Sequence, residues 1–233
     1  MYKIAVIPGD GIGPEVVREG VRVLDEAARL LGFQCEKIEY PHGANHYLKT
    51  GELFPDSAIT ELKQMDAILF GAVGDPRVET GLMERAIVGG MRSKLDLYVN
   101  LRPIKLYSAH LTPLKDKGPE DVDFVVVREN TEDTRAGVGG FLKKGTQDEV
   151  AVQEMIYTRR GTEKVVRFAF ELAQKRRKHL TLVDKANSIR AHDLWRRVFK
   201  EISVGFPEVE TDTAYVDAAI VWMLEKGDVI GFL

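Results

Sequence analysis

The first 39 residues of the chain carry the pattern that most constrains its fold. A short apolar run at residues 3–7 ends in a dense turn signal, Pro8-Gly9-Asp10-Gly11-Ile12-Gly13-Pro14. Residues 14–31 then place apolar side chains three and four positions apart, which predicts a helix with proline in its first turn. Gly32 ends this helix, and residues 34–39 predict a second strand. This order predicts a βαβ unit with parallel strands, so we expect an α/β protein.

The rest of the chain continues to mix strand and helix patterns. Further strands are predicted at residues 67–70, 97–106, 123–129, 180–183, 209–215 and 228–233. Helices are predicted at residues 44–50, 55–64, 160–177, 191–206 and 218–224, with a loop followed by a helix at 79–94. Glycine-rich residues 136–145 and residues 149–157 predict a hairpin arm. A boundary near residues 97–102 divides the pattern into two expected lobes, 1–98 and 99–233.

Composition narrows the class of function. The 233 residues are 44% hydrophobic and 30% charged, which is ordinary for a globular protein. A net charge of -3 gives no indication of binding to nucleic acid or to a lipid surface. The single cysteine, Cys35, cannot form a disulfide within the chain, and the sequence shows no membrane-spanning run and no signal peptide. We therefore expect a cytoplasmic enzyme or binding protein.

Three arginines suggest a site for a small acid. Arg92, Arg102 and Arg128 each lie beside an apolar run that is predicted to form a strand. A guanidinium is always charged and presents a planar fork, which suits bidentate capture of carboxylates. If the three side chains converge, they form a site for a di- or tricarboxylic acid. The alternative is three unrelated surface arginines.

Six motifs in sequence order resemble the β-decarboxylating dehydrogenases, which include isocitrate, 3-isopropylmalate, homoisocitrate, tartrate and D-malate dehydrogenases. The motifs are Pro8-Gly9-Asp10-Gly11-Ile12-Gly13, Gly71-Ala72-Val73-Gly74, Asn100-Leu101-Arg102-Pro103, Val127-Arg128-Glu129-Asn130-Thr131-Glu132, Asp184-Lys185-Ala186-Asn187 and Val216-Asp217-Ala218-Ala219. Residues 83–88 and 178–183 are most similar to the 3-isopropylmalate dehydrogenase branch. The resemblance implies a two-lobed fold with parallel and mixed sheets. It also implies NAD-dependent oxidation of a 2-hydroxy acid, with loss of the β-carboxylate as carbon dioxide.

The resemblance also implies roles for individual residues. Arg92, Arg102 and Arg128 would hold the substrate carboxylates, with Asn187 beside them. Lys185 would be the base at the hydroxyl, and Asp217 would ligate a magnesium or manganese ion. The alternatives are a solvated lysine at a strand end for Lys185 and a helix N-cap ahead of Ala218 for Asp217.

Further implied contacts concern specificity, cofactor and assembly. Val88, together with Ile87, could contact the isopropyl group of a substrate, although both could equally pack in the core. The positions implied to contact NAD are Ile12, Gly74 and Glu84. Family members are homodimers that share lysine and aspartate across the interface. The apolar faces of the helices predicted at 160–177 and 191–206 would suit that interface.

Two departures from the family set limits on this interpretation. Arg135 occupies the position of the family tyrosine that protonates the enolate carbon, and a guanidinium cannot donate that proton. The chain also stops before the family's nucleotide-binding segments, so a C-terminal truncation and little or no activity of this polypeptide are expected. The open alternatives are a 3-isopropylmalate-type enzyme, a D-malate or tartrate-type enzyme, and a non-catalytic remnant.

Overall fold

A computed structural model describes residues 1–219 and residue 221. The chain is an α/β protein that divides into two compact units, Met1–Asp96 and Leu97–Leu233. The predicted strand at 228–233 lies outside the described residues, as does part of the helix predicted at 218–224.

The first unit is built on a parallel sheet with the strand order β2–β1–β3. Its elements in chain order are β1 (Tyr2–Gly9), α1 (Gly13–Leu31), β2 (Cys35–Glu39), α2 (Ala44–Thr50), α3 (Asp56–Leu62), β3 (Ala67–Ala72), a π-helical turn (Glu84–Gly89) and α4 (Gly90–Lys94). The predicted βαβ unit is confirmed. Helix α1 ends where predicted, because Gly32 adopts the left-handed conformation (φ 71°) that an αL cap requires.

The glycine loop after β1 allows two strand ends to pack closely. Gly9 has φ 74°, and a Cβ there would lie 1.9 Å from the Ala72 carbonyl oxygen. A Cβ on Gly71 would lie 2.1 Å from the carbonyl oxygen of Pro8. Any side chain at these positions would therefore separate β1 from β3 at the carboxyl edge of the sheet.

The helix predicted within residues 79–94 is interrupted. Residues Glu84–Gly89 form a π-helical turn, and α4 occupies only Gly90–Lys94. The adjacent glycines, Gly89 and Gly90, give little helical preference to this segment. Wide turns of this kind often occur at functional sites, and this one directly precedes Arg92.

Within its described residues, the second unit contains two strand pairs and a hairpin. Its elements in chain order are β4 (Val99–Lys105), β5 (Asp123–Glu129), β6 (Gly139–Leu142), β7 (Val150–Gln153), α5 (Arg159–Gln174), β8 (His179–Asp184), α6 (Asp193–Ser203) and β9 (Glu210–Tyr215). Strands β4 and β5 are antiparallel, β8 and β9 are parallel, and β6 with β7 form the predicted hairpin arm. Residues 216–219 are helical.

The core of the second unit uses the apolar faces of α5 and α6. Phe170 and Val198 are fully buried, and Trp195 is nearly so, in one cluster with Val127 of β5 and Leu180 of β8. The prediction that these helix faces serve a dimer interface is therefore wrong for their central residues. The physical reason is that the strand pairs of the same unit need apolar cover, and these two helices supply it.

Candidate active site

The antiparallel pair β4–β5 places Arg102 and Arg128 on one face. Asn100 lies directly opposite Arg128 in the register, and Arg102 follows Asn100 by two positions. Residues that face each other across a ladder, or that lie two apart along a strand, share a face. The opposite face carries Val127, which packs in the core. The two guanidinium groups are thus diagonal neighbours on the face that is turned away from Val127.

Polar residues around this pair fix the local backbone. Arg102 donates through Nε to Asn100 Oδ1 at 2.8 Å. Glu129 is buried, and its carboxylate accepts hydrogen bonds from the backbone N–H groups of Thr131 (2.6 Å) and Glu132 (2.8 Å). Asn130 is also buried and donates to the Leu97 carbonyl oxygen at 2.9 Å. The backbone that follows Arg128 in the Arg-Glu-Asn-Thr-Glu motif is therefore held by hydrogen bonds with buried side chains.

The parallel pair β8–β9 brings Lys185 and Asp217 together. Asp184 is in register with Tyr215, so the residues that follow both strands meet at the same edge. The Lys185 ammonium forms an ion pair with Asp217 Oδ2. Lys185 therefore has a carboxylate partner, while 30% of its side chain and 67% of the Asp217 side chain remain exposed. Asp217 lies within helical residues 216–219 and not ahead of them, so the cap interpretation is wrong.

A buried carboxylate supports the turn that carries Lys185. The Asp184 side chain is fully buried and receives two hydrogen bonds from Arg196, at 2.5 and 3.0 Å. It also accepts from the Ala186 N–H at 2.9 Å. The Asp184 carboxylate raises the pKa of Arg196, and the Arg196 guanidinium lies 4.8 Å from the centre of the Tyr215 ring. Sequence reasoning missed this role, because Arg196 is twelve positions away on α6.

A second buried group lies behind the same turn. The Lys185 backbone N–H donates to His192 Nδ1 at 3.0 Å, and His192 Nε2 lies 3.1 Å from the Tyr157 hydroxyl. Burial lowers the pKa of His192, which keeps its ring neutral and able to accept at Nδ1. Burial and the neighbouring charge of Asp133 raise the pKa of Tyr157. The backbone of the Lys185 turn is therefore held by a neutral histidine, and no motif in the sequence pointed to this residue.

Arg135 is held next to an acidic residue. Its Nη1 atom lies 3.9 Å from Asp133 Oδ2, and each of the two side chains keeps less than a quarter of its surface exposed. The guanidinium is thus a shielded, ion-paired group and not a solvated one. Asn187 lies in the exposed turn after Lys185.

The first unit places the remaining substrate candidates on two adjoining turns. Ile87 is fully buried in the core, whereas Val88 is half-buried. Of the two residues offered for contact with an isopropyl group, only Val88 keeps accessible surface. Arg92 lies on α4, and its convergence with Arg102 and Arg128 stays a prediction.

The cofactor candidates lie at the carboxyl edge of the first sheet. Ile12 is 64% exposed just before α1. Gly74 has φ 132°, and a Cβ there would lie 3.1 Å from Glu84 Oε1, so these two candidates are close neighbours. The Gly74 N–H donates to Asp10 Oδ2 at 3.2 Å, and the Ala44 N–H donates to Asp10 Oδ1 at 2.7 Å. Asp10, which is buried and was not singled out from the sequence, anchors both loops.

Comparison with known proteins decides the family. The family model described as isocitrate/isopropylmalate dehydrogenase matches residues 3–231. The chain belongs to the isocitrate/isopropylmalate dehydrogenase family. It is 50% identical to a 3-isopropylmalate dehydrogenase from Thermobifida fusca over 226 residues, which cover 96% of this chain and 64% of the relative. It is 48% identical to one from Nocardia farcinica, covering 95% of this chain and 65% of the relative. The chain thus spans slightly less than two thirds of these relatives.

Solved structures agree with the family fold. The crystal structure of isocitrate dehydrogenase from Methylococcus capsulatus is similar to this chain with a TM-score of 0.84 and 31% sequence identity, covering 99% of this chain and 66% of that one. The two-lobed isocitrate/isopropylmalate dehydrogenase fold is therefore confirmed. None of the helices in the described residues combines the length and hydropathy that a membrane span requires.

Members of the isocitrate/isopropylmalate dehydrogenase family use NAD and a divalent metal, and the described residues fit both in part. Asp217 is a hard oxygen ligand of the kind that magnesium and manganese prefer. Among the described residues, however, it belongs to no group of three side chains spaced to share an ion. Glu84, next to the backbone of Gly74, offers a carboxylate suited to ribose hydroxyls. The chain thus supplies individual contacts to both groups.

Proposed function

We propose that this chain carries the substrate site of an NAD-dependent β-decarboxylating dehydrogenase that acts on a 2-hydroxy acid of the 3-isopropylmalate type, in leucine biosynthesis. The observation that carries the proposal is the ion pair between Lys185 and Asp217 at one edge of β8–β9. The Lys185 nitrogen can accept a proton in its neutral amine form, and the carboxylate beside it is of the type that binds magnesium or manganese. The shared face of Arg102 and Arg128 and the likeness to 3-isopropylmalate dehydrogenases support the same conclusion.

The residues divide the work between binding and proton transfer. Arg102 and Arg128, joined by Arg92, grip the substrate carboxylates and orient the one that leaves as carbon dioxide. Lys185 takes the proton from the substrate hydroxyl as the hydride leaves carbon, and Asn187 lies beside the same carboxylates. NAD, when bound, supplies the hydride acceptor, and the metal supplies a Lewis acid at the hydroxyl oxygen. Ile12, Gly74 and Glu84 are the residues proposed to hold NAD, and Asp217 is the residue proposed to ligate the metal.

We also propose that the chain forms a homodimer through the hairpin arm. Strands β6 and β7 form a separate two-stranded sheet whose apolar side chains are exposed, including Phe141 (58%), Leu142 (65%) and Val150 (47%). An isolated hairpin is marginally stable in water, and exposed strand edges invite pairing. A second copy of the arm would cover these side chains and would bring Lys185 and Asp217 of one subunit to the site of the other.

Arg135 favours a second candidate function, a carboxylate-binding protein with little turnover. The guanidinium stands where a proton-donating tyrosine is expected, and its ion pair with Asp133 fixes it there. Oxidation and loss of carbon dioxide do not need that tyrosine, whereas protonation of the enolate does. The substrate would therefore bind, but the last step would depend on water.

The reaction is tested by following NADH formation with 3-isopropylmalate, NAD and magnesium, against D-malate as the matched substrate without the isopropyl group. We expect slow turnover of 3-isopropylmalate and a kcat/KM for D-malate that is lower by roughly 10- to 200-fold, the effect of a few apolar carbons. The Val88→Ala variant should narrow this gap. Calorimetric binding of 3-isopropylmalate without sustained NADH formation would instead support the second candidate. If the chain neither binds 3-isopropylmalate nor turns it over, both candidate functions are contradicted.

A further inference from the structure

Helix α2 and its flanking loops bring two histidines and a glutamate to one place in the first unit. His42 precedes the extended N-cap Gly43, and His46 lies in the first turn of α2. Gly51 ends the helix in the left-handed conformation (φ 75°), and the Glu52 N–H then donates to Thr50 Oγ1 at 3.1 Å. The chain reverses direction at Gly51, and as a result Glu52 Oε2 lies 3.1 Å from His46 Nε2. One possible ligand atom from each of His42, His46 and Glu52 lies within 4.8 Å of the other two.

His42 gives this cluster an unusual feature. Its side chain is buried, with 6% of the residue exposed, and its Nδ1 atom has no hydrogen-bond partner. The Phe54 ring packs against it in a T-shaped arrangement with ring centroids 4.9 Å apart, and the centroid of the His46 ring lies 5.3 Å away. Burial and the neighbouring His46 lower the pKa of His42, so its ring is neutral. A neutral imidazole nitrogen without a partner in a buried position costs free energy unless something binds it.

We propose that His42, His46 and Glu52 bind one divalent first-row transition-metal ion, with zinc as the best match. Two imidazoles and one carboxylate form a common ligand set for zinc when a further position is left open. Bonds of about 2.0–2.2 Å around a tetrahedral ion place ligand atoms about 3.3–3.6 Å apart. The 3.1 Å separation of His46 Nε2 and Glu52 Oε2 is close to this spacing, and shifts of at most about 1.5 Å in side-chain atoms would bring in the third ligand.

The proposed zinc site has different ligands from the metal site of the proposed dehydrogenase reaction. The zinc proposal is therefore independent of the proposed function. Asp217 offers a hard oxygen ligand in the second unit, suited to magnesium or manganese. His42 and His46 offer nitrogen ligands, which magnesium binds poorly. Zinc held by the histidines should therefore survive an excess of magnesium that saturates carboxylate sites.

The test is equilibrium dialysis of the untagged chain against zinc chloride with millimolar magnesium chloride present, followed by elemental analysis. We expect one zinc ion per wild-type chain, and binding weakened by at least roughly tenfold in both His46→Ala and Glu52→Gln. The Glu52 side chain is half-exposed and the His46 side chain is 20% exposed, so circular dichroism is used to check that both variants keep the fold. The control His110→Ala, at an exposed histidine outside the cluster, should bind zinc as the wild type does.

Cobalt provides an independent readout of the same ligands. Cobalt(II) at the site should give visible absorption that is present in the wild type and in His110→Ala but lost in His46→Ala. The proposal is overturned if the wild-type chain retains no zinc after dialysis. It is also overturned if folded His46→Ala and Glu52→Gln retain zinc with wild-type affinity.

Discussion

Replacing Lys185 with methionine should lower the rate of 2-hydroxy-acid oxidation by roughly 100- to 10,000-fold, the usual contribution of a positioned acid or base. The Lys185 side chain lies beside Asp217. The turn that carries it is held by two backbone N–H groups, which donate to the side chains of Asp184 and His192. Methionine has a similar length but cannot accept a proton. The measurement is the steady-state rate of NADH formation at saturating 3-isopropylmalate, with binding of the substrate followed separately by calorimetry.

Two further variants separate the proton-accepting role from the charge. Lys185→Arg keeps a cation beside Asp217, but a guanidinium stays protonated and cannot act as a base, so this variant should be as slow as Lys185→Met. Lys200→Met removes an exposed lysine of α6 and should leave the rate unchanged. If Lys185→Arg retains wild-type turnover, Lys185 contributes charge only and the assignment of the base is wrong.

Replacing Arg135 with tyrosine should raise turnover by roughly 100-fold or more, because it adds a proton donor where the enolate carbon needs one. Arg135 lies against Asp133, with Nη1 3.9 Å from Oδ2, so the new hydroxyl would lie near a carboxylate that can orient it. The rate of product formation at saturating substrate reports the effect. Release of the unprotonated intermediate should fall as this rate rises.

Arg135→Phe is the matched control for this gain. It introduces the same ring and removes the same guanidinium, but it has no hydroxyl. A faster tyrosine variant beside a slow phenylalanine variant would assign the gain to proton donation. Equal gains in rate in the two variants would show that the guanidinium merely obstructs the site, whereas no gain in either variant would contradict the assigned position of Arg135.

Most elements of the fold could be predicted because their patterns are local. The spacing of apolar residues in α1 and the unbroken apolar run of β5 each indicate one structure, and Asp123–Glu129 is a strand as predicted. The π-helical turn at Glu84–Gly89 could not be predicted, since helical periodicity does not distinguish a wide turn from an α-helix. The apolar stripes of α5 and α6 were visible in the sequence, but their partner was not: the same stripe can cover a strand pair or a second subunit.

The residues of the candidate site were likewise only partly predictable from the sequence. Motif order pointed to Arg102, Arg128, Lys185 and Asp217, and the strand registers then placed two pairs of them side by side. Asp10, Asp184 and His192 were missed because their roles come from buried contacts to residues distant in sequence. Asp10 reaches Gly74 across 64 positions, and Tyr157 reaches His192 across 35. Such contacts exist only once the strands are assembled.

The central claim is that the arginine-bearing face of β4–β5 grips a small carboxylic acid, and calorimetric titration with 3-isopropylmalate in the presence of magnesium tests it most directly. Arg128→Met should weaken binding by roughly 10- to 150-fold, which corresponds to the loss of about 1.5–3 kcal/mol from a charge-assisted contact. Arg197→Met, at an exposed arginine of α6 that pairs with Asp193, should bind as the wild type does. Equal affinity of wild type and Arg128→Met would contradict the account.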